Sequence, residues 1–408
     1  MISNLREQRG LVIAATSRIT HNKNGTWIVP SQSGNGRYTV HLGPETPKCT
    51  CPDHETRGCK CKHIFAVEYA IQRERNGDGS VTVTEAVRVT AAKRTTYPQN
   101  WSAYNEAQTN EKRLFQSLLH DLCLGLPEIK GSGNGRPRLP MSDAVFAAAF
   151  KVYSTVSARR FACDLEEARA GGHIGCVPHF NTVLNYLDEP AMFGVLSDLI
   201  IRSSAPLGAV ESDFAVDSTG FGTSRHVRWF DHKYGTAGER QAWVKCHFIC
   251  GVRTNVVTAA EIYDPYTNDC RVLPSLVKTT ARHFNLAEVS ADKAYSSHVN
   301  LATIVAQGAE PYIPFKSSTT GRDGGLFGKM YHLFCLNQEE FLAHYHKRSN
   351  VESTVSMIKA KFGDHVRSRT ETAMKNEVLC KVLCHNLCCL VSAIYELGIN
   401  PKFEALAA

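Results

Sequence analysis

The chain has 408 residues, 43% of them hydrophobic, and a formal net charge of +7. That length supports more than one buried core, while the charge is too small to establish a nucleic-acid partner by itself. The longest apolar runs, such as 387–394, fall far short of the roughly 20 residues a membrane span requires, and the N-terminus lacks a signal-peptide core, so a cytoplasmic protein with no membrane partner is expected.

Residues 26–48 read as short strands around Trp27 and Tyr38, separated by the turn-rich Ser-Gln-Ser-Gly-Asn-Gly. They lead into Cys49-Thr-Cys51-Pro-Asp-His-Glu-Thr-Arg-Gly-Cys59-Lys-Cys61-Lys-His63. A CxC followed by CxH supplies the ligand types of tetrahedral zinc, and fifteen cysteines in a chain without secretion features suit metal ligation and burial better than disulfides. The cluster, its preceding strands and the helix expected at 66–75 resemble the SWIM zinc finger. That resemblance implies a structural Zn²⁺ held by Cys49, Cys51, Cys61 and His63, with Cys59 and His54 as spares, and Lys60 and Lys62 facing a partner that is DNA or protein. The module is expected to span 1–75, followed by a linker at 76–100 that includes one strand within the sequence Ser-Val-Thr-Val-Thr.

Helical patterns fill 101–205, interrupted by the basic, glycine- and proline-rich joint 130–140. Arg136 and Arg138 in that joint are candidates for DNA phosphate or minor-groove contact. Three short helices, 142–153, 158–168 and 179–187, resemble a helix-turn-helix, in which the third would present His179, Asn181, Thr182 and Asn185 to the major groove. Beyond residue 206 the pattern becomes strand 213–221, a hairpin of 243–252 and 256–263, helix 268–284, strand 288–292, helix 297–306, strand 310–315, a loop-rich insertion and a final helical stretch. The order β-β-β-α-β-α-β-α predicts a multidomain α/β protein whose 206–397 segment is a ribonuclease H-like mixed sheet, with 398–408 as a tail. Cys380, Cys384, Cys388 and Cys389 lie among leucines and valines, so that last helix reads as buried, with cysteine serving as a small hydrophobe.

Asp217 and Asp292 each end an apolar strand with a carboxylate. In the expected sheet order the first and fourth strands are neighbours, which brings the two acids together. Glu352 lies in Tyr345-His-Lys-Arg348-Ser-Asn-Val-Glu352, with Lys359 seven residues on. On one continuous helix Tyr345, Arg348, Glu352 and Lys359 share an arc of about 60°, and Val351, Val355, Ile358 and Phe362 form the neighbouring apolar stripe. Three acids in one cleft require cations, and oxygen ligands select Mg²⁺ or Mn²⁺; two ions about 4 Å apart suit phosphodiester displacement. Residues 342–381 hold eight Lys or Arg against four acids, hence +4, and 224–245 hold five against two, hence +3, which compensates the acids toward a polyanion.

These acids, the Tyr-x2-Arg-x3-Glu-x6-Lys spacing and the sequences Trp243-Val-Lys-Cys-His, Ala291-Asp-Lys-Ala-Tyr-Ser and Glu377-Val-Leu-Cys-Lys-Val-Leu-Cys-His-Asn resemble the DDE transposases of bacterial insertion sequences over about 130–397. The resemblance implies that Asp217, Asp292 and Glu352 hold two Mg²⁺ ions and that Tyr345, Arg348 and Lys359 grip DNA phosphates near the cut. It also implies binding of element ends and target as double-stranded DNA, strand cleavage and strand transfer, assembly as a homodimer on DNA, and a nucleoid-associated location. Only 60 positions separate Asp292 from Glu352 (352 − 292), too few for the large β insertion of members that cut through hairpins, so that pathway is not carried over. Trp229, among Arg225, Arg228 and Lys233, is a candidate to stack on an unpaired base.

Overall fold

The structure is a computed structural model that describes residues 5–22, 24–32, 36–43, 46–74, 100–128, 138–223, 243–263, 267–316, 319 and 324–403. The linker strand expected within 76–97, Arg136, Arg225, Arg228, Trp229 and Lys233 lie outside the described residues. Two compact units form, Met1–Lys93 and Arg94–Ala408.

In the first unit, α1 (Leu5–Thr16) precedes strands β1 (Thr20–His21), β2 (Thr26–Pro30), β3 (Arg37–His41) and β4 (Lys48–Cys49), which form one sheet in chain order. Period-two alternation on β2 turns Trp27 and Val29 inward. They pack with Val40, Ile13 and Ile64, and three cysteines complete the same core. A short helix α2 (Pro52–Arg57) leads to α3 (Lys62–Glu74). α3 begins four residues earlier than its apolar pattern suggests, because the Cys61 carbonyl accepts from the N–H groups of Ile64 and Phe65. α1 was not foreseen. It packs closely on α3 at Gly10, where a Cβ would stand 2.5 Å from the Phe65 Cβ.

The second unit begins with α4 (Trp101–Cys123), α5 (Met141–Ser154), α6 (Ala162–Ala170), α7 (Phe180–Leu187) and α8 (Ala191–Ser204). Then come β5 (Asp213–Gly222), β6 (Trp243–Gly251), β7 (Val257–Tyr263), α9 (Leu273–Thr280), β8 (Glu288–Ala291), α10 (His298–Ala306) and β9 (Glu310–Tyr312). The strands form a mixed sheet in the order β7-β6-β5-β8-β9. β6 is antiparallel to both neighbours, and β8 runs parallel to β5 and β9. The side chains of β5 divide between two cores: Ala215 and Phe221 join the helices of 101–204, and Phe214 and Val216 pack with α9 and α10.

Two expectations are corrected here. The stretch before Glu352 is not loop-rich but contains α11 (Gly325–Leu336) and α12 (Gln338–Tyr345), whose Phe327 and Phe341 are buried. The helix expected at 268–284 is shorter and interrupted: a 3-10 turn at Asp269–Arg271 precedes α9, and Pro274 occupies its first turn, where the missing N–H costs nothing. After α13 (Ser349–Phe362), the unit closes with α14 (Glu371–Leu397), between a Thr370 hydroxyl cap on the Ala373 N–H and Gly398 at φ 66°.

α14 is long and apolar enough to cross a membrane by length and composition, which the short apolar runs did not suggest. Its apolar surface is used internally: 78% of the apolar window is buried, against α4, α5 and α8. Asn386 on this helix completes the outer edge of the sheet. Its Oδ1 accepts from the Val257 N–H at 2.8 Å, and its Nδ2 donates to the Val257 carbonyl at 2.7 Å and to Ser203 Oγ at 3.0 Å. The edge strand β7 thus finds a side chain in place of another strand. Asn386→Leu strands a buried N–H and C=O and is expected to cost about 3 kcal/mol, read as a lower urea midpoint with an unchanged m-value.

Candidate functional site

Cys49 ends β4, Cys51 lies at the start of α2, and Cys61 and His63 lie at the start of α3. Local turns therefore bring ligands 14 residues apart to one point. Their ligand atoms all lie within 4.8 Å of one another and all four residues are buried. His63 Nδ1 lies 3.9 Å from both Cys49 Sγ and Cys61 Sγ, spacings that tetrahedral bonds of about 2.0–2.3 Å would span. The hydrogen bond from Cys49 pulls Cys61 toward the thiolate, while that bond and burial push Cys49 the other way. A cation resolves that conflict, so the donor set fits Zn²⁺. The spares stand outside the set: His54 Nδ1 is 2.8 Å from the Cys59 carbonyl oxygen. Lys60 is paired with Glu68 at 2.6 Å, and Lys62 donates to Gln32 at 2.9 Å.

The acids of the second unit meet at one end of its sheet. Parallel pairing sets Val216 against Ala291 on strands about 4.8 Å apart, so Asp217 on β5 and Asp292, the residue that follows β8, come directly after paired residues. Asp217 accepts from the Ser218 N–H at 2.8 Å, and Asp292 from the Lys293 N–H at 2.7 Å. α13 lies along the same face of β5, burying Val351, Ile358 and Phe362.

Arg348 links the cluster. Its guanidinium donates to Asp217 Oδ2 at 3.0 Å, to Glu352 Oε1 at 3.1 Å and to the Tyr345 hydroxyl at 3.3 Å. The preceding residue fixes the approach, because Lys347 Nζ lies 2.7 Å from both Asp213 and Glu288, the first residues of β5 and β8. The single helix expected through Tyr345 and Lys359 is corrected: Tyr345 ends α12, Arg348 ends a 3-10 turn, and only Glu352 and Lys359 lie on α13. The turn lets Lys347 and Arg348 reach different points of β5. Two turns beyond Glu352, the Lys359 amine lies 5.5 Å from the Phe221 ring centroid.

Burial raises the Asp217 carboxyl above its ordinary value, opposed by the Ser218 N–H and Arg348 and reinforced by the charges of Asp292 and Glu352. That excess of negative charge on hard oxygens suits a divalent cation. Among the described residues only the zinc-type cluster already has three or more ligand atoms within 4.8 Å of one another. Glu352, 64% exposed on its side chain, is paired with Arg348 at 3.1 Å.

Sequence reasoning missed a fourth acid. Asp269 pairs with Lys245 and lies 3.4 Å from Ser218 Oγ and 3.8 Å from His247 Nε2. Burial pushes His247 down to about 4, so it is neutral at pH 7. The signal available was Asn268, whose side chain caps the turn at the Cys270 N–H. Of the helical candidates, His179 is consumed as the α7 cap on the Asn181 N–H, Asn181 and Asn185 are exposed, Thr182 is half-buried, and Arg138 pairs with Glu189 at 3.6 Å.

Comparison with known families matches residues 208–387 to the transposase DDE domain and residues 38–72 to the SWIM zinc finger. No curated protein and no solved structure matches the chain. The first match includes Asp217, Asp292 and Glu352 and the second includes all four clustered ligands, so the chain carries a DDE transposase domain with a SWIM zinc finger ahead of it in sequence.

Proposed function

We propose that this chain is an insertion-sequence transposase that binds element ends as double-stranded DNA, cuts them and joins the freed 3′ hydroxyls to target DNA. The observation that carries this reading is the adjoining register of Asp217 and Asp292 with Arg348 tying Asp217 to Glu352. The strand order, with one antiparallel strand beside a parallel β5–β8 pair, supports a ribonuclease H-like architecture.

Asp217, Asp292 and Glu352 would hold Mg²⁺ or Mn²⁺. Bound as a pair, such ions activate the attacking oxygen and stabilise the departing one in phosphodiester displacement. Arg348 has a fork suited to two oxygens at once, and it passes from the carboxylates to the scissile phosphate. Tyr345 orients the guanidinium through its hydroxyl, and Lys359 adds charge two helical turns along the DNA-facing groove. Arg138 and Arg136 would contact DNA outside that groove. The zinc finger would hold a structural Zn²⁺ and bind DNA or a protein partner. Two ends must react in step, which favours a homodimer assembled on DNA, in the cytoplasm at the nucleoid.

Incubating the chain with precut element ends, supercoiled target and Mg²⁺ tests the reading. Joined product supports it; cleavage without joining would make the chain a nuclease, and gel retardation without chemistry would make it a DNA-binding regulator. Arg348→Lys keeps the charge but loses the fork, and is expected to lower the joining rate about 100-fold with little change in duplex affinity.

A further inference from the structure

Beyond the acid cluster, β5 ends against a second group of cations. A cavity of about 240 Å³ is lined there by Lys151 and Val152 of α5, by Thr155–Ala158 of the α5–α6 connection, by the apolar Leu184, Leu187 and Phe362, and by Arg367, Ser368, Glu377 and Lys381. That is several times the roughly 30 Å³ of one water, enough for a hydrated phosphate group.

Its electrostatics are unbalanced. Among the lining residues Lys151, Arg367 and Lys381 outnumber one carboxylate, Glu377, which lies 3.9 Å from Lys381 Nζ and is engaged by the backbone N–H groups of Arg367 at 3.0 Å and Ser368 at 2.8 Å. Lys381, 1% exposed, donates to the Gly363 and His365 carbonyls at 3.0 and 2.6 Å. Arg367 is pinned through the Thr155 and Val156 carbonyls. Lys151 is different: it is 8% exposed, lines the cavity, and its amine has no hydrogen bond or ion pair with any described residue. With no partner among the described residues, that ammonium is available to an anion entering the cavity.

We propose that this cavity is a second phosphate-binding site that takes a backbone phosphate of the DNA substrate, with Lys151 as its principal contact. The assignment to DNA rests on the transposase reading and on continuity with the acid cluster. Lys359 and Lys381 both approach the Phe221 ring, at 5.5 and 5.3 Å from its centroid, and Phe221 follows Asp217 by four residues on the same face of β5, about 13 Å. Lys381 thus joins the cavity lining to the Phe221 end of β5, which places the cavity beyond the carboxylates along that strand. Exposed Arg159, Arg160 and Arg369 extend the positive surface from the segments that line the cavity. Burial first, then the nearby charge of Arg367, depresses the Lys151 amine, opposed by the charge of Glu377.

The test uses the full chain and a labelled 30-base-pair duplex, with affinity measured by fluorescence anisotropy across a salt series. Each phosphate contact contributes about 0.9 to the slope of log affinity against log salt. Lys151→Met, which removes a buried charge and retains the fold, is expected to lower that slope by about 0.9 and weaken binding about 5- to 10-fold at moderate salt. Ser157→Glu, an exposed change at the cavity, is expected to weaken binding similarly without altering the thermal midpoint. Unchanged slopes for both variants overturn the proposal. So does a thermal shift by inorganic phosphate that needs Lys151 while DNA binding does not, since the cavity would then serve a free anion. Mg²⁺-dependent joining is measured on the same wild-type preparation: a Lys151-dependent slope without joining retains the site and defeats the transposase reading, and joining with an unaltered slope does the reverse.

Discussion

Asp217→Asn is expected to reduce Mg²⁺-dependent cleavage and joining by about a thousandfold or more, without loss of fold. Asparagine keeps the shape and still accepts from the Ser218 N–H, but it withdraws an anionic oxygen from the cleft and ends the pairing with Arg348. A stability measurement separates this from simple damage. Burial first, then the charges of Asp292 and Glu352, raises the folded-state pKa of Asp217 above its ordinary value. Between those two values the folded chain binds more protons than the unfolded one, so stability falls as pH rises through that window. The metal-free Asn variant escapes that loss and is expected to melt above wild type at pH 7. Mg²⁺ should then raise the wild-type melting temperature, through binding to the folded state, and leave the variant nearly unmoved. Retention of a tenth of the wild-type joining rate would remove Asp217 from the chemistry.

Zinc removal is expected to unfold the first unit while the second retains its transition. The reason is the composition of its core: Cys49, Cys51 and Cys61 are core residues beside Trp27, Val29, Val40 and Ile64, and the strands that support them are two to five residues long. A structural zinc site of this type contributes on the order of 10 kcal/mol, more than so small a core supplies. Without metal, three thiols and an imidazole whose Nε2 already lacks a partner remain buried together. Calorimetry with and without a strong chelator should show one transition disappear, with one equivalent of zinc released per chain. Cys61→Ser should reproduce the loss, and Cys59→Ser should not, because Cys59 stands outside the cluster. A first unit that melts normally after complete zinc removal would refute the structural role of the site.

The sequence by itself determined the features whose partners are close along the chain or repeat with a regular period. Cys49, Cys51, Cys61 and His63 span only 15 residues, so short turns suffice to bring them together, and the resemblance to the SWIM zinc finger singled them out from Cys59 and His54. The apolar runs ahead of Asp217 and Asp292 marked two strands that end in acids, and the Val351, Ile358 and Phe362 stripe marked the helix behind Glu352. The tertiary structure decided what depends on distant partners. Arg348 meets Asp217 across 131 positions, and the chain breaks its helix there because Lys347 is drawn to Asp213 and Glu288 at the same time. Period alone cannot register that pull, nor could it show Asp269 beside Ser218, α11 and α12 in place of loops, or the closeness of α1 to α3. For α14, composition is compatible with either lipid or protein as surroundings; α4, α5 and α8 settle it by covering the apolar surface. Lys151 is likewise ordinary in the sequence, and it comes to line a cavity only once residues more than 200 positions away close over it. Local spacing encodes which groups can meet within a turn or two, whereas packing across the chain determines which charges are left facing one another.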